Sequence, residues 1–199
     1  MSKSVSQKYP SELRARLMEQ ETSVRTDIAY PGGGRIVTLG FPGLAFDIAG
    51  TSVIEPERMQ ATLQDPALQA CGLLVVLVER AEVPENAWSL LGEAASEQAI
   101  RVVHLPIRDY QAPDAEFEAG WQSLRTEIGE LLASGGALAL SCHYGAGRSG
   151  TMAASLLMDS GMTADEAVAT VRRHFSESIE SEEQLTWLKG RQPNNGSLG

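Results

Sequence analysis

The apolar residues of this chain fall into short continuous runs, separated by segments in which apolar positions recur at helical spacing. "RIVTLGF" (35–41), "CGLLVVLV" (71–78), "IRVVHLPI" (100–107) and "ALALS" (137–141) are such runs. Their length, with little polar alternation, is that of strands buried on both faces. "EPERMQATLQ" (55–64) and "ENAWSLLGEAASEQA" (85–99) read as helices. After the polar loop "RDYQAPD" comes a long amphipathic helix with Phe117, Trp121, Leu124, Ile128, Leu131 and Leu132 on one face. Strands alternating with helices predict an α/β fold, with a mostly parallel central sheet of four to five strands and helices on both faces.

Turn and cap residues set the boundaries. "PGGG" (31–34) is turn material in front of the first predicted strand, and Asp65-Pro66 ends a helix. A helix is expected over Ser149–Asp159, and two more follow, each opened by a capping box: Thr163 with Glu166, and Ser181 with Gln184. The pattern divides the chain into an N-terminal arm (1–29), a domain (30–190) and a loose tail (191–199). In the arm, "SELRARLMEQE" is able to form a helix capped by Ser11.

Composition narrows the class. At 199 residues the chain can bury one core without disulfides or metals, and 43% hydrophobic with 21% charged residues is ordinary for a soluble protein. No apolar run approaches the roughly 18 residues of a membrane span, and no secretory signal opens the chain, so a cytoplasmic location is expected. Cys71 and Cys142 both sit at strand edges, which predicts reduced thiols. Two Cys and three dispersed His give no zinc-type spacing, and no metal or cofactor is expected. A formal net charge of −10 argues against nucleic acid or an anionic membrane as partner. Any phosphate site must therefore concentrate positive potential locally.

"SCHYGAGRSGT" (141–151) does this. Cys142 falls at the carboxyl end of a predicted parallel strand, where open α/β sheets bind ligands. Gly145 and Gly147 allow the loop to curl until successive N–H groups converge on one anion, and the following helix adds its positive end. Arg148 supplies a planar fork that matches two phosphate oxygens. The same groups favour a thiolate at Cys142.

"CHYGAGRSGT" resembles the Cys-x5-Arg-Ser/Thr phosphate loop of the cysteine-dependent protein tyrosine and dual-specificity phosphatases. "HLPIRDYQAPD" is similar to their general-acid loop, and "IVTLGFPG" resembles the start of the group typified by the cyclin-dependent kinase-associated phosphatase. The resemblance spans about 30–188. It implies that Cys142 is the nucleophile and that Arg148 with the backbone of His143, Tyr144, Gly145, Ala146 and Gly147 holds the phosphate. It also implies Asp109 as general acid and Ser149 as the hydroxyl that assists the departing thiolate. Asp114, before the long helix, reads as its N-cap. Gln184 stands where relatives carry a water-positioning glutamine, and its capping box accounts for it equally well. His104 reads as a strand residue near the site, and Arg172, Arg173 and His174 as a solvated helix face. The departure is Ser141, where the family usually has histidine.

The activity implied is hydrolysis of phosphomonoesters on a phosphoprotein partner, phosphotyrosine and also phosphoserine or phosphothreonine, through a phosphocysteine. Phosphoinositides, inositol phosphates and nucleotides are the alternative substrates, disfavoured because "HYGAG" lacks lysine. An inactive phosphate-binding module and a persulfide-carrying sulfurtransferase are the readings from other classes.

Overall fold

The computed structural model describes residues 22–191. The chain opens with Val24–Ala29 (β1), which turns back antiparallel to Arg35–Gly40 (β2). The turn is "PGGG", and Gly34 is needed there: its φ is +69°, and a Cβ would lie 2.7 Å from the Leu132 carbonyl oxygen. Leu44–Phe46 (β3) and Ser52–Ile54 (β4) make a small separate hairpin that leads into Pro56–Leu63 (α1). Then come Cys71–Val76 (β5), Ala87–Glu97 (α2), Arg101–His104 (β6), Ala115–Ala133 (α3) and Ala137–Cys142 (β7). Gly147–Asp159 (α4), Ala164–His174 (α5) and Glu182–Gly190 (α6) complete the order.

The sheet order is β1-β2-β7-β5-β6, parallel apart from β1. Right-handed crossovers put α1 and α2 on one face and α3 on the other. Arg125 of α3 pairs with Asp159 of α4 at 3.0 Å, and α5 and α6 pack on α4, so these helices share the second face. All six residues of β7 are buried in the middle of the sheet, which is why its sequence runs apolar without alternation. Truncating Leu140 there to alanine would cost about 2–5 kcal/mol.

Two elements differ from the expected pattern. "RIVTLGF" is the second strand, because "VRTDIA" precedes it in the sheet. Only Thr26 and Ile28 of that strand are buried, and Thr26 meets Thr38 hydroxyl to hydroxyl at 2.9 Å, so its inner face carries little apolar signal. The β3–β4 hairpin was not expected either: its strands are three residues long, and Phe46 and Ile48 point outward. The predicted 11–21 helix and the tail beyond residue 191 lie outside the described residues.

Register places the site. Gly40 pairs with Cys142, while Val76 pairs with Ser141 on one side and His104 on the other. The parallel strands therefore end together, and the loops that follow them meet over one edge of the sheet.

Candidate active site

From Cys142 the chain curls through His143–Ala146 into α4, which starts at Gly147, two residues before the expected start. Gly145 takes φ +94°, and a Cβ there would meet the Gly40 nitrogen at 2.5 Å, so the curl needs glycine twice over. This conformation lets Gly145 N–H donate to Cys142 Sγ at 3.2 Å. Ser149 Oγ lies 3.4 Å from the same sulfur, fully buried. The thiol is thus flanked by a backbone donor and a hydroxyl.

Arg148 is buried against the loop and fixed by three elements. It donates to Glu82 Oε1 and Oε2 at 2.6 and 2.7 Å, donates to the Ile107 carbonyl at 3.0 Å, and stands 3.2 Å from Asp109 Oδ1. Its Nε–H has no partner among the described residues. The guanidinium is therefore oriented through its terminal nitrogens, and one donor remains for an incoming oxygen. Burial opposes the Arg148 charge, but the Glu82 hydrogen bonds and the charges of Cys142, Glu82 and Asp109 raise its pKa above the usual value.

Glu82 was not singled out from the sequence. A signal was available: "VERAE" follows the buried run of β5 directly, at the edge where ligand groups collect. Burial pushes its carboxyl up, yet hydrogen bonds from Arg148 and Glu79 N–H, with the Arg148 charge, hold it below the ordinary carboxylate range.

The other predicted residues separate cleanly. Asp109 projects over the loop with its side chain half exposed and also accepts its neighbour Tyr110 N–H at 3.2 Å. Asp114 caps α3, accepting from Phe117 N–H at 2.9 Å. Gln184 closes its capping box and also turns its amide nitrogen toward the loop. Its Oε1 accepts from Glu180 and Ser181 N–H at 3.0 and 3.3 Å, while the buried Nε2 is unpartnered, 3.2 Å from where a Cβ on Gly147 would sit. His143 packs on Phe46, and Tyr144 is half exposed. His104 pairs its Nε2 with the Val78 carbonyl at 2.8 Å against Trp88.

Arg172 is not simply part of a solvated face. It donates to the Ser178 and Ile179 carbonyls at 3.0 and 2.9 Å and so pins the turn that delivers Glu180. Glu180 is the second site residue that the sequence reading missed. Its carboxylate lies against the Gly147 backbone; burial and the nearby Asp109 charge raise its pKa, while the Gly147 N–H acts the other way. Ser141 is fully buried, with no partner for its hydroxyl among the described residues. Cys71, at the opposite end of the sheet, is buried, and burial pushes its thiol up to about 11.

A cysteine at a strand end, a glycine-shaped loop of N–H donors and an arginine clamped at the start of the next helix define a class: the cysteine-dependent phosphatase fold. Residues 53–162, more than half of the chain, match the family of DSP-PTPase phosphatases of polymorphic toxin systems, and the chain belongs to that family. Among solved structures it is similar to Tk-PTP. The active form is 25% identical with a TM-score of 0.59, covering 85% of this chain and 98% of that one. A glycine-to-alanine mutant form is 31% identical with a TM-score of 0.52, covering 75% and 95%. Kinase associated phosphatase, with serine in place of its catalytic-site cysteine, shares the fold at 19% identity and a TM-score of 0.65, covering 83% and 90%. No curated protein matches the sequence. Among the described residues no helix is long and apolar enough to cross a membrane.

Proposed function

We propose that this protein is a phosphoprotein phosphatase that hydrolyses phosphotyrosine, and phosphoserine or phosphothreonine beside it, through a phosphocysteine on Cys142. The observation that carries this reading is the double hold on one small volume: Gly145 N–H and Ser149 Oγ on the sulfur, and a Glu82-clamped Arg148 with a free Nε–H beside it. Phosphate oxygens bind the loop N–H groups from His143 to Arg148 and the guanidinium, which neutralise charge as the phosphoryl group transfers. Cys142 Sγ bonds to phosphorus as the ester oxygen leaves, and Asp109 gives that oxygen its proton.

In the second half, Asp109 takes a proton from water as the water oxygen attacks phosphorus. The S–P bond breaks, phosphate leaves, and Ser149 Oγ donates a hydrogen bond to the departing thiolate. Gln184 orients that water, a role supported by its unpartnered Nε2 beside Gly147. Every step uses groups of this chain, and no cofactor is invoked. A thiol nucleophile requires a reducing compartment, for which the cytoplasm is the setting proposed.

The test is hydrolysis of p-nitrophenyl phosphate and of phosphotyrosine and phosphothreonine peptides in the presence of a chelator, followed by mass analysis of acid-quenched enzyme. Added HPO3 on the peptide containing Cys142, absent from Cys142→Ser, is the result expected. Turnover with no such adduct, or turnover surviving in Cys142→Ser, would sink the mechanism.

A further inference from the structure

Asp109 rides on a loop that has neither helix nor strand between His104 and Ala115. The residue after it, Tyr110, sits in the left-handed region at φ +58°, which a residue with a Cβ adopts only where its surroundings hold it there. The Tyr110 ring does not supply the hold, since the residue is 57% exposed. Ile179, left-handed at φ +62° in the turn before α6, is by contrast anchored by a buried side chain.

What holds Tyr110 comes from the start of α6. Ser181 Oγ donates to the Tyr110 carbonyl at 2.7 Å, across 71 residues of sequence. A longer contact beside it runs from Ala112 N–H to Glu183 Oε1 at 3.5 Å. Within the loop, Gln111 N–H donates to the Arg108 carbonyl at 3.1 Å and closes the turn that contains Asp109.

Ser181 is the N-cap of α6, and capping uses its oxygen only as an acceptor, for Gln184 N–H at 3.1 Å. A hydroxyl also has one proton to give, and here it goes to the acid loop. The donor stands on fixed ground: Arg172 binds the Ser178 and Ile179 carbonyls, and Gln184 and Leu188 of α6 are buried. The helix therefore positions the loop. Asp109 itself is held by Arg148 Nη2 at 3.2 Å and by its neighbour's N–H. That attraction sets a distance to the guanidinium, whereas proton transfer also needs a direction toward the leaving oxygen, which a fixed carbonyl one residue on supplies.

We infer that Ser181 is a positioning residue, whose hydroxyl holds the Asp109 loop over Cys142 and links that loop to Gln184. The inference rests on the assignment of Asp109 as general acid above, and adds to it the group that aims the acid.

The experiment uses three variants. Ser181→Thr keeps a hydroxyl and a cap, Ser181→Gly starts a helix nearly as well without a hydroxyl, and Ser181→Ala loses both. In each, kcat/KM is measured with phenyl phosphate and with dinitrophenyl phosphate, inhibition by sulfate is measured beside it, and hydrogen exchange is followed at the amides of residues 110–112. We expect the glycine and alanine variants to lose about tenfold with phenyl phosphate and less than about twofold with dinitrophenyl phosphate, whose leaving group needs little protonation. Sulfate inhibition should be unchanged, loop exchange about tenfold faster, and Ser181→Thr should match the parent throughout. In an Asp109→Asn background, Ser181→Gly should cause no further loss with phenyl phosphate. Loop exchange in Ser181→Gly equal to the parent overturns the inference. So does a loss that is equal for the two esters, that persists in full in Asp109→Asn, or that occurs in Ser181→Ala but not in Ser181→Gly, which would assign it to the cap. If Asp109→Asn itself showed no dependence on the leaving group, the general-acid reading would fall, and exchange would still decide whether Ser181 holds the loop.

Discussion

Glu82 and Arg148, 66 residues apart in sequence, meet through two parallel hydrogen bonds of 2.6 and 2.7 Å that fix the plane of the guanidinium. The contact spans the loop after β5 and the first turn of α4. It orients the arginine without using its Nε–H.

Glu82→Gln should therefore lower kcat/KM for p-nitrophenyl phosphate by about 100-fold while leaving Cys142 in place. It also removes the closer of the two carboxylates paired with a buried cation, which should cost about 3 kcal/mol in urea unfolding. The pH dependence has a definite sign. The Glu82 carboxyl is depressed in the folded state, so its contribution is complete above the ordinary carboxylate pKa and fades as pH falls through the depressed value. Urea midpoints measured downward from neutral pH should fall more steeply in the parent than in Glu82→Gln. Parallel curves would show that the pair adds nothing to folding.

Asp109 and Asp114 should part company under the same substitution. Asp109→Asn should slow turnover most for esters whose leaving groups have high pKa, because a good leaving group needs little protonation. Asp114→Asn keeps a capping side chain at α3 and should leave the leaving-group dependence unchanged. A series of aryl phosphates with graded leaving groups separates the two, and an exchanged pattern would move the acid to Asp114.

The Glu180 carboxylate lies against the backbone of Gly147, whose N–H is one of the donors that a bound anion would use on the proposed reading. Its pKa is raised, so the ionised form that competes with ligand accumulates only as pH rises through the raised value. Sulfate keeps its charge over this range. Its inhibition of the parent should weaken with rising pH above the ordinary carboxylate range, whereas Glu180→Gln should bind sulfate about tenfold tighter there, with a flatter profile. Equal inhibition profiles would remove Glu180 from the anion site.

Ser149→Ala should uncouple the two halves of the reaction. On the proposed mechanism the hydroxyl 3.4 Å from Cys142 Sγ matters chiefly when the thiolate departs, so rapid mixing should give a burst of one product equivalent followed by slow turnover. A uniform slowing with no burst would assign it to the first step.

The sequence was readable where one residue type carried its signal locally. Cys142, Gly145 and Arg148 lie within seven positions, and the strand-loop-helix context around them follows from the apolar runs. The Asp114 and Gln184 caps were likewise legible, because a cap bonds within its own turn. Glu82 and Glu180 escaped because their partners are brought to them by the sheet and the α5–α6 turn, and an isolated glutamate looks like any surface acid. β1 and the β3–β4 hairpin escaped for a related reason. Their burial or pairing depends on neighbours, Thr38 for Thr26 and Ile54 for Leu44, more than on a period of their own.

Ser141 gives the last prediction. The family usually has histidine before the nucleophile, yet here the position is fully buried in the central strand, with the hydroxyl unpartnered. Burying a hydroxyl with no partner costs free energy that a methyl group does not, so Ser141→Ala should unfold at higher urea, by about 1 kcal/mol, with kcat/KM unchanged. Ser141→His puts a ring on a buried face of the central strand, beside the register partners Leu39 and Val76, and should destabilise by about 1–3 kcal/mol. If Ser141→Ala instead impaired turnover, the hydroxyl would be acting on the loop through a contact made only when phosphate is bound. If Ser141→His were both stable and faster, the surroundings would have to reshape around an imidazole, and the loop's dependence on Gly145 N–H, Ser149 and Arg148 would need revision.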